Sequence, residues 1–574
     1  MNQHLTRLLT MLAVACAAAL LVALVLRVAE RGSDVSWWLN YQFPREGSEG
    51  LTIYEALLTR LGENIYALPT ATRFISAPYP PLYYYLSGAL LDPAAPAFAP
   101  GRWLSLFAFI ATALIGGLLA VIGVVQSSNR AYAVEQGEQQ FAPTESASIL
   151  WQLRKSYSKF KVQNYLIPFA LTVLLFATMY PALIWAARFR ADMLALALMA
   201  GGLLAMQQRP RGTVAWLAAL LLALAFFTKQ TALAGPLAAA LYLLLLAWQS
   251  RRTRQGEQRF ASTTVGRGVS FGWAFTWMAG LAALCLLPIL LLTLLTGGGY
   301  WAKLVTYHAL PFSARTLLNL LGGALLDNEW PLLIVAAAFL LLAANDLRHG
   351  RTVTIVAPYL LAATLLLPSG GVVGADSNHL LAICFALALA AGQLAARIFA
   401  PHPDPLPRRG EGMIVPHPDP LPQGASAYLA PIAALGLAAL LTAYLFASAQ
   451  PSGWYGLDLR RPSDAEQTQL ARIVANVRQN PGTNFLSDEV GLLILAAKRP
   501  AYDDLFDLTA LANLGRWDDS ALRQQVQNRQ FAIILLHNQV EELRGDILTN
   551  AMRDAIINNY RLLFSDIWYT YVPK

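Results

Sequence analysis

Residues 44–86 read PREGSEGLTIYEALLTRLGENIYALPTATRFISAPYPPLYYYL and lie between the first two apolar segments of the chain. This stretch combines the carboxylates Glu46, Glu49, Glu55 and Glu63 with a Pro-Pro turn and three consecutive tyrosines. Ionisable groups beside a bilayer are costly, so they are usually paired or functional. The stretch therefore decides which kind of membrane protein the chain forms, and its acids are the first candidates for chemistry.

The composition is that of a polytopic membrane protein. Of 574 residues, 56% are hydrophobic and only 13% are charged, whereas soluble domains carry about 25% charged residues. The net charge of +8 does not indicate nucleic-acid binding, because the arginines cluster in short loops between apolar segments. Cys16, Cys285 and Cys384 all lie in apolar segments and form neither a disulfide framework nor a metal-ligand pattern.

Eleven apolar segments predict membrane-spanning helices. They run at about 8–28, 103–125, 164–184, 190–206, 212–229, 231–249, 272–297, 331–345, 353–369, 378–399 and 427–449. The first lacks a clear small-residue exit site, so we expect an uncleaved anchor. Residues 79–92 are a twelfth candidate, but they are short and contain two prolines near their start, which favours a re-entrant or interfacial element.

The basic loops predict the orientation of the chain. If residues 79–92 do not cross the membrane, the basic loops 126–163, 250–270 and 346–352 fall on one side, as the positive-inside rule requires. Eleven crossings then place the N-terminus in the cytoplasm, and they place the first loop, residues 29–78, and the C-terminal tail outside.

Two further regions are predicted to lie outside the bundle. Residues 400–426 contain HPDPLP twice and are expected to form an extended, inserted linker. The tail, residues 450–574, is polar and is expected to form a small external α/β domain. In the tail, the expected elements are a helix at 463–479 and strands near 484–486, 531–536 and 560–571. The polar loop 126–163 is expected to contain a short helix at 148–160. The predicted fold is thus mainly α, with about 11–12 transmembrane helices in residues 1–449.

The first loop contains the leading candidate acids. Residues 53–61 can form an amphipathic helix lying in the membrane interface, with Glu49 at its approach. A carboxylate there faces both water and lipid headgroups, which favours a functional role for Glu49 and, less strongly, for Glu46. Glu55 and Glu63 are better explained as solvated loop acids.

A second candidate cluster is formed by Arg188, Arg190 and Asp192, where one apolar segment gives way to the next. Asp192 opens a helix, so capping, stabilisation by the helix dipole or a salt bridge would explain it without any function. Two arginines and an aspartate at one membrane edge would equally suit a phosphate-binding site. The residues alone leave both alternatives open.

Isolated ionisable residues at the ends of apolar segments are the remaining candidates for substrate contacts. Arg102 and Lys229 lie on the outer side, and a snorkelling side chain is the usual explanation for such a residue. Several cations on the side that is normally depleted of them indicate an anionic lipid headgroup. Asp376, Asn378 and His379 precede a late segment on the same side and are candidate substrate contacts.

The sequence contains neither a G-x-x-x-x-G-K-[ST] loop nor a strand-led G-x-G-x-x-G motif. An enzyme with this site would therefore need a donor other than a cytosolic nucleotide, which indicates a lipid-borne substrate.

In order and spacing, these motifs resemble the GT-C superfamily of integral-membrane glycosyltransferases, particularly bacterial relatives of protein mannosyltransferases and aminoarabinose transferases. The resemblance covers most of the chain. The motifs are Glu49-Gly50, GENIY at 62–66, YPPLYYYL at 79–86, Gly101-Arg102, R-x-R-x-D-x-L at 188–194, Asn378, and LSDEVGLLILAAKRP at 486–500.

The resemblance implies inverting transfer of a sugar from a polyprenyl-phosphate carrier to a lipid, glycan or protein acceptor at the outer membrane face. It implies that Glu49, with Glu46 as its competitor, is the catalytic base, and that Asp192 is the second acid. Tyr79 occupies a position before the prolines that is often basic in this family. Substrate contacts would then come from Tyr79, Arg102, Arg188, Arg190, Lys229, Asn378 and His379.

Two alternatives accompany this interpretation. A divalent metal ion could supply part of the positive charge, although no ligand cluster in the sequence requires one. A transporter or lipid flippase would show an internal repeat and ionisable residues near the middle of several spans. No convincing repeat is present, and the polar residues gather at one face, which favours the enzyme.

Overall fold

The computed structural model describes residues 3–135, 163–257, 268–351, 353–399, 423–455, 459–543, 545, 547–565 and 567–574. In chain order the helices are α1 (Gln3–Asn40), α2 (Gly47–Arg60), α3 (Pro81–Ala89), α4 (Ala99–Glu135), α5 (Gln163–Thr178), α6 (Tyr180–Ala186), α7 (Asp192–Gln208), α8 (Gly212–Thr228), α9 (Ala234–Glu257), α10 (Phe271–Leu295), α11 (Gly299–Trp301), α12 (Ala314–Asn319), α13 (Asp327–Arg348), α14 (Val356–Leu365), α15 (Leu381–Phe399), α16 (Gln423–Ala447), α17 (Asp464–Gln479), α18 (Val490–Leu495), α19 (Leu505–Asn513), α20 (Ser520–Gln527) and α21 (Asn550–Asn559). The strands are β1 (Phe485–Ser487), β2 (Ile533–Leu536), β3 (Tyr560–Ser565) and β4 (Tyr569–Pro573). The predicted helix at 148–160 and most of the linker at 400–426 lie outside the described residues.

The chain is a multi-pass membrane protein. Within the described residues, six helical stretches are long and apolar enough to cross a membrane, and the bent pair α5–α6 is a seventh candidate. The six are Arg7–Asn40, Ala99–Ile122, Phe271–Leu295, Ala314–Arg348, Ser377–Phe399 and Ala430–Ala447. The other four predicted segments are also helical, as the shorter apolar helices α7, α8 and Val356–Gly371 and as α9. Residues 79–92 contain only the nine-residue helix α3, too short to span.

The most deeply buried of the six long apolar stretches contains α15, which lies at the centre of the bundle. It packs against α4, α5, α13, α14 and α16, and almost every side chain from Leu381 to Ala396 is enclosed by them. Of these elements, α4 carries Arg102 near its start, and α15 itself follows the turn that carries Asn378. The core of the bundle therefore fixes the positions of these two helix starts relative to one another.

A sharp bend separates α5 from α6, whose axes differ by 72°. Pro181 lies in the first turn of α6, where its missing N–H is tolerated but would interrupt a continuous helix. The carbonyl of Thr178 at the break accepts a hydrogen bond from the buried guanidinium of Arg31. The bend ends the helix early and brings the following turn, which carries two arginines, towards the first loop.

The first loop differs from its predicted form. The helix expected at 53–61 begins already at Gly47, and every side chain from Glu49 to Leu58 is buried. α2 packs against α3 on one side and against α18 on the other. Glu55, expected to be solvated, is therefore fully buried. α2 is thus enclosed by other elements of the protein and is not an exposed amphipathic helix.

The tail folds into the predicted α/β domain around one sheet. The strand order is β1-β2-β4-β3, with β1 parallel to β2 and the other neighbours antiparallel. Ser463 begins α17 with a capping box in which Ser463 and Glu466 bond each other's backbone N–H groups. The predicted helix and all three strand regions are present, and the last region forms the hairpin β3–β4.

The first loop is joined to this domain through its backbone. The N–H of Phe74 donates to the carbonyl of Ala501 at 2.9 Å, and the N–H of Asp503 donates to the carbonyl of Phe74 at 3.2 Å. The hydroxyl of Tyr54 donates to the carbonyl of Pro500 at 2.6 Å. The α/β domain is therefore docked directly over α2.

Candidate active site

The candidate site lies where the first loop meets the ends of α4, α7, α8 and α15, and it contains two arginine–carboxylate clusters. The first is the pair of Glu49 and Arg102, whose side chains are both fully buried. Arg102 donates from Nε to Oε1 at 2.9 Å and from Nη2 to Oε2 at 2.6 Å. This two-point geometry is the strongest that an arginine and a carboxylate can form.

Every hydrogen-bonding position of this pair is occupied. The N–H of Phe189 donates to Oε1 of Glu49 at 2.6 Å, and the N–H of Arg45 donates to Oε2 at 2.8 Å. The remaining guanidinium donors of Arg102 bond three backbone carbonyls of the chain leaving α1. These carbonyls belong to Trp38, Tyr41 and Phe43. Four acceptor positions and five donors are thus satisfied, and none faces open space.

The electrostatics of Glu49 agree with a permanent charge. Burial acts to raise the pKa of Glu49, but Arg102 and the N–H groups of Phe189 and Arg45 outweigh burial and hold that pKa below the ordinary value of 4.5. The pair ties the chain after α1 to α4 and to the turn at Phe189. Its geometry is that of an organising contact.

The second cluster begins in the turn between α6 and α7. Arg188 is buried against the ring of Trp185, 4.5 Å from its centroid. Its Nη1 lies 3.3 Å from Oε2 of Glu46 and 3.2 Å from Oδ2 of Asp376. Arg190 Nη1 lies 3.4 Å from Oε1 of Glu46. The two arginines therefore hold the Glu46 carboxylate from both sides.

Arg190 extends the cluster towards the bundle. Its Nη2 donates to the hydroxyl of Tyr79, and its Nε lies 3.9 Å from Oδ2 of Asp192. Asp192, the first residue of α7, also accepts from Lys229, which ends α8. The amide of Asn378 donates to the same carboxylate at 3.1 Å.

The second cluster therefore combines three cations with three carboxylates at one end of the bundle. The cations are Arg188, Arg190 and Lys229, and the carboxylates are Glu46, Asp192 and Asp376. Each carboxylate faces an arginine or a lysine, and this donor set does not fit a divalent cation. In the described part of the chain, no group of three or more His, Cys, Asp or Glu side chains is arranged to hold a metal ion.

Glu46 differs from Glu49 in its surroundings. Its side chain is 22% exposed. Burial raises the pKa of Glu46 above the ordinary value of 4.5, although Arg188 and Arg190 oppose this rise. A carboxylate with a raised pKa that borders open space is suited to accept a proton.

A cavity of about 430 Å³ opens beside Glu46, between the first loop and the α/β domain. Its opposite wall comes from the tail of the chain and contains Asp488, Glu489, Asp504, Phe506, His537 and Trp568. The imidazole of His537 lies 5.4 Å from the Trp568 ring, and the neighbouring Asp488 carboxylate raises the pKa of His537. Glu46 is thus shared between the cation cluster and this cavity.

Most of the predicted site residues are brought together, with two departures. Glu46, Tyr79, Arg188, Arg190, Asp192, Lys229 and Asn378 form one connected cluster. Arg102 was expected to contact substrate, but it is enclosed and fully used by Glu49 and the carbonyls after α1. The catalytic role of Glu49 stays a prediction, and the burial and complete bonding of this carboxylate argue against it.

His379 lies beside the cluster and bonds the hydroxyl of Ser369 at 2.9 Å. The cavity wall was missed at the sequence level. Its acids in the LSDEVGLL motif were noted only as part of a family resemblance, because nothing local in the sequence shows that the tail folds back onto the first loop.

Comparison with solved structures identifies the fold. The chain superposes on ArnT from Cupriavidus metallidurans bound to undecaprenyl phosphate, with a TM-score of 0.50 and 12% identity, over 96% of this chain and 97% of that chain. The apo state of the same protein gives a TM-score of 0.49 at 12% identity with the same coverage. The archaeal oligosaccharyltransferase AglB from Archaeoglobus fulgidus, in complex with an inhibitory peptide and a dolichol-phosphate, gives a TM-score of 0.46 at 12% identity over 97% and 74% of the two chains.

No protein-family model matches the chain, and no curated protein matches it by sequence. The superposition on ArnT extends over nearly the full length of both chains, so it includes the bundle, the first loop and the α/β domain. The chain therefore has the fold of the GT-C membrane glycosyltransferases, as its motifs predicted.

Proposed function

We propose that the protein is a glycosyltransferase that moves a sugar from a polyprenyl-phosphate carrier to an acceptor hydroxyl at the outer face of the membrane. The observation that carries this proposal is the second cluster: buried arginines and a lysine at one end of an apolar bundle, next to a carboxylate that borders a cavity. Arginines bind phosphate oxygens in the same two-point manner in which they bind carboxylate oxygens. The GT-C fold supports the same class of reaction.

The donor phosphate would bind at Arg188, Arg190 and Lys229, with its polyprenyl chain among the apolar helices. During transfer, negative charge develops on the phosphate oxygen that leaves the sugar, and fixed cations stabilise this charge. Asp192, which is itself held by the side-chain amide of Asn378, would hold Lys229 in place. The apolar bundle excludes water from the phosphate and strengthens these interactions.

The acceptor would approach through the cavity beneath the α/β domain. Its hydroxyl oxygen attacks the anomeric carbon, the bond from that carbon to the phosphate oxygen breaks, and polyprenyl phosphate leaves with the electron pair. The hydroxyl proton passes to Glu46, which is why we assign the base to Glu46 in preference to Glu49. A single displacement of this kind inverts the anomeric centre.

The test is a transfer assay with the full chain in lipid vesicles. Wild type is supplied with polyprenyl-phosphate sugars and candidate acceptors, and release of polyprenyl phosphate is measured. We expect release with wild type and a loss of about 100-fold or more with Glu46→Gln. The matched control is Glu63→Gln, because Glu63 is an acid of the same loop that pairs with Arg73 away from the cluster.

The assay also separates this function from its rival. Sugar consumption that is unchanged in Glu46→Gln would show that the base is elsewhere. A wild type that never consumes a polyprenyl-phosphate sugar but moves a solute or a lipid across the vesicle membrane would establish a transporter or flippase.

A further inference from the structure

We propose that Glu46 is the resting counter-ion of the donor-phosphate site, and that the donor phosphate displaces Glu46 from Arg188 and Arg190 and so frees it to act as the base. This inference rests on the proposed function and concerns how that site is switched on. It makes donor binding the event that releases the base.

A bound phosphate would change the charge balance of the cluster. Three cations face three carboxylates in the absence of substrate, so the positive charge is already neutralised. A phosphate adds at least one more negative charge, and like charges in a buried site repel strongly. The arginines can bind the phosphate fully only if a carboxylate leaves them.

The three carboxylates of the cluster differ in how firmly they are held. Asp192 is held by Lys229 and Asn378, and its side chain is only 3% exposed. Asp376 accepts the N–H of Ser377 at the start of the turn before α15. Glu46 occupies the N-cap position of α2 but makes no capping hydrogen bond. Within the cluster, Glu46 is thus the carboxylate that is not held by its own helix end.

Glu46 has longer contacts than Glu49 and open space beside it. The carboxylate lies 3.3 Å and 3.4 Å from its two arginines, whereas the bonds to Glu49 are between 2.6 Å and 2.9 Å. Glu46 also borders the cavity of about 430 Å³. A change of side-chain rotamer therefore suffices to turn it from the arginines towards the side from which the acceptor approaches.

The consequence is an ordered reaction. While the site is empty, the Glu46 carboxylate is occupied by two arginines, and their charges oppose its protonation. When phosphate takes its place, the carboxylate loses two neutralising neighbours and gains a nearby negative charge, and both changes increase its affinity for a proton. An acceptor hydroxyl is then activated only when a donor sugar is in position.

The test measures binding of undecaprenyl phosphate, without any sugar, to the full chain in detergent micelles. In wild type the phosphate competes with Glu46, and in Glu46→Gln it does not. We expect Glu46→Gln to bind undecaprenyl phosphate about fivefold more tightly or better, although the same variant loses transfer. Glu63→Gln, which removes an acid of the same loop outside the cluster, should bind as wild type does.

A pH series provides a second measurement that needs no new variant. As the pH falls, Glu46 of wild type becomes protonated and stops competing, so the dissociation constants of wild type and Glu46→Gln should converge. Other groups around Glu46 also titrate or carry charge, and Glu46→Gln controls for them. They are Arg188, Arg190, Asp376 and Glu49 in the clusters and Asp488, Glu489, Asp504 and His537 across the cavity.

Each result decides the matter. Tighter binding by Glu46→Gln that disappears at low pH supports the switch. Equal or weaker binding by a folded Glu46→Gln, or a difference that does not change with pH, overturns the switch and leaves the transferase intact. If neither wild type nor any variant binds undecaprenyl phosphate, the proposed donor class is wrong, and the switch is wrong with it.

Discussion

Glu46 and Glu49 lie three residues apart in one loop, and both face arginines, yet their environments differ in every respect. Glu49 is fully buried, accepts four hydrogen bonds and has a lowered pKa. Glu46 is partly exposed, makes two longer contacts and has a raised pKa. A carboxylate with no free acceptor position can only organise its surroundings, whereas one with space beside it can move and exchange protons.

The same difference separates the two arginine clusters. All donors of Arg102 are bonded to one carboxylate and to the backbone carbonyls at and just after the end of α1, so Arg102 fixes the path of the chain into α2. Arg188 and Arg190 share their carboxylates with each other and with Lys229. Shared, longer contacts allow partners to be exchanged, and such exchange is what a substrate-binding site requires.

The largest expected effect on stability comes from breaking the first cluster. Glu49→Gln leaves Arg102 as a buried charge without a counter-ion, which costs about 3–5 kcal/mol of the free energy of unfolding. Glu46→Gln leaves two arginines that still face Asp376 and Asp192, so their charges stay partly compensated and we expect a smaller loss than for Glu49→Gln. The measurement is denaturant unfolding of both variants in detergent. A Glu46→Gln that is destabilised as much as Glu49→Gln would remove the distinction between the clusters.

The second prediction tests whether the α/β domain must lie tightly on α2. The Cα of Gly50 is so close to α18 that an added Cβ would lie 2.8 Å from the Cα of Gly491, too close for real atoms. Gly50→Ala should therefore cost about 2 kcal/mol through overpacking. Gly47→Ala is the matched control on the same helix, because the nearest atom to its Cβ is the Asp488 carbonyl at an ordinary 3.6 Å.

Thermal unfolding of the two alanine variants measures this effect. Gly50→Ala should also raise the acceptor KM, because the cavity wall moves with α18. Equal stability of the two variants would mean that the contact between α2 and α18 is loose.

The residues of the clusters show how far the sequence could predict the site. Segment length and hydropathy are local properties, so the helices and the α/β tail were predictable. Arg188, Arg190, Asp192 and Lys229 were expected to lie together, because each lies near a helix end on one predicted side, and the structure brings them together. Their role in the reaction stays a prediction. The choice between Glu46 and Glu49 was not predictable, because it depends on Arg102, 53 residues further along the chain, and on a domain that covers α2.

The third prediction uses Glu55, another carboxylate of α2, which is fully buried. Burial raises the pKa of Glu55 from 4.5 to about 8, and the hydroxyl of Tyr84, the N–H of Ala77 and the charge of Lys303 lower it only in part. The folded state therefore keeps a proton that the unfolded chain releases above its own pKa of 4.5. The contribution of this retained proton to the free energy of unfolding is fully present below pH 4.5 and is lost as the pH rises towards 8.

Between pH 6 and pH 7, Glu55 should lower the free energy of unfolding by about 1.4 kcal/mol. Glu55→Gln removes the titrating proton, so its stability should depend less on pH over this range than that of wild type. Denaturant unfolding at the two pH values compares the slopes. Parallel slopes for wild type and variant would contradict the raised pKa.

The smallest expected effect belongs to the exposed pair of Arg73 and Glu63 in the first loop. Like the buried pair of Glu49 and Arg102, it joins an arginine to a glutamate. Their side chains are 48% and 32% exposed, so water and salt screen the attraction, and the side-chain entropy lost on pairing offsets much of the gain. Glu63→Gln should therefore change the free energy of unfolding by less than about 0.5 kcal/mol, leave transfer unchanged, and become indistinguishable from wild type at high salt. Because the chemistry of the pair is unchanged and only its burial differs, a large effect here would show that the loop responds to any lost charge. Any difference between the Glu46 and Glu49 variants would then be explained by the stability of the loop and not by the geometry of the two clusters.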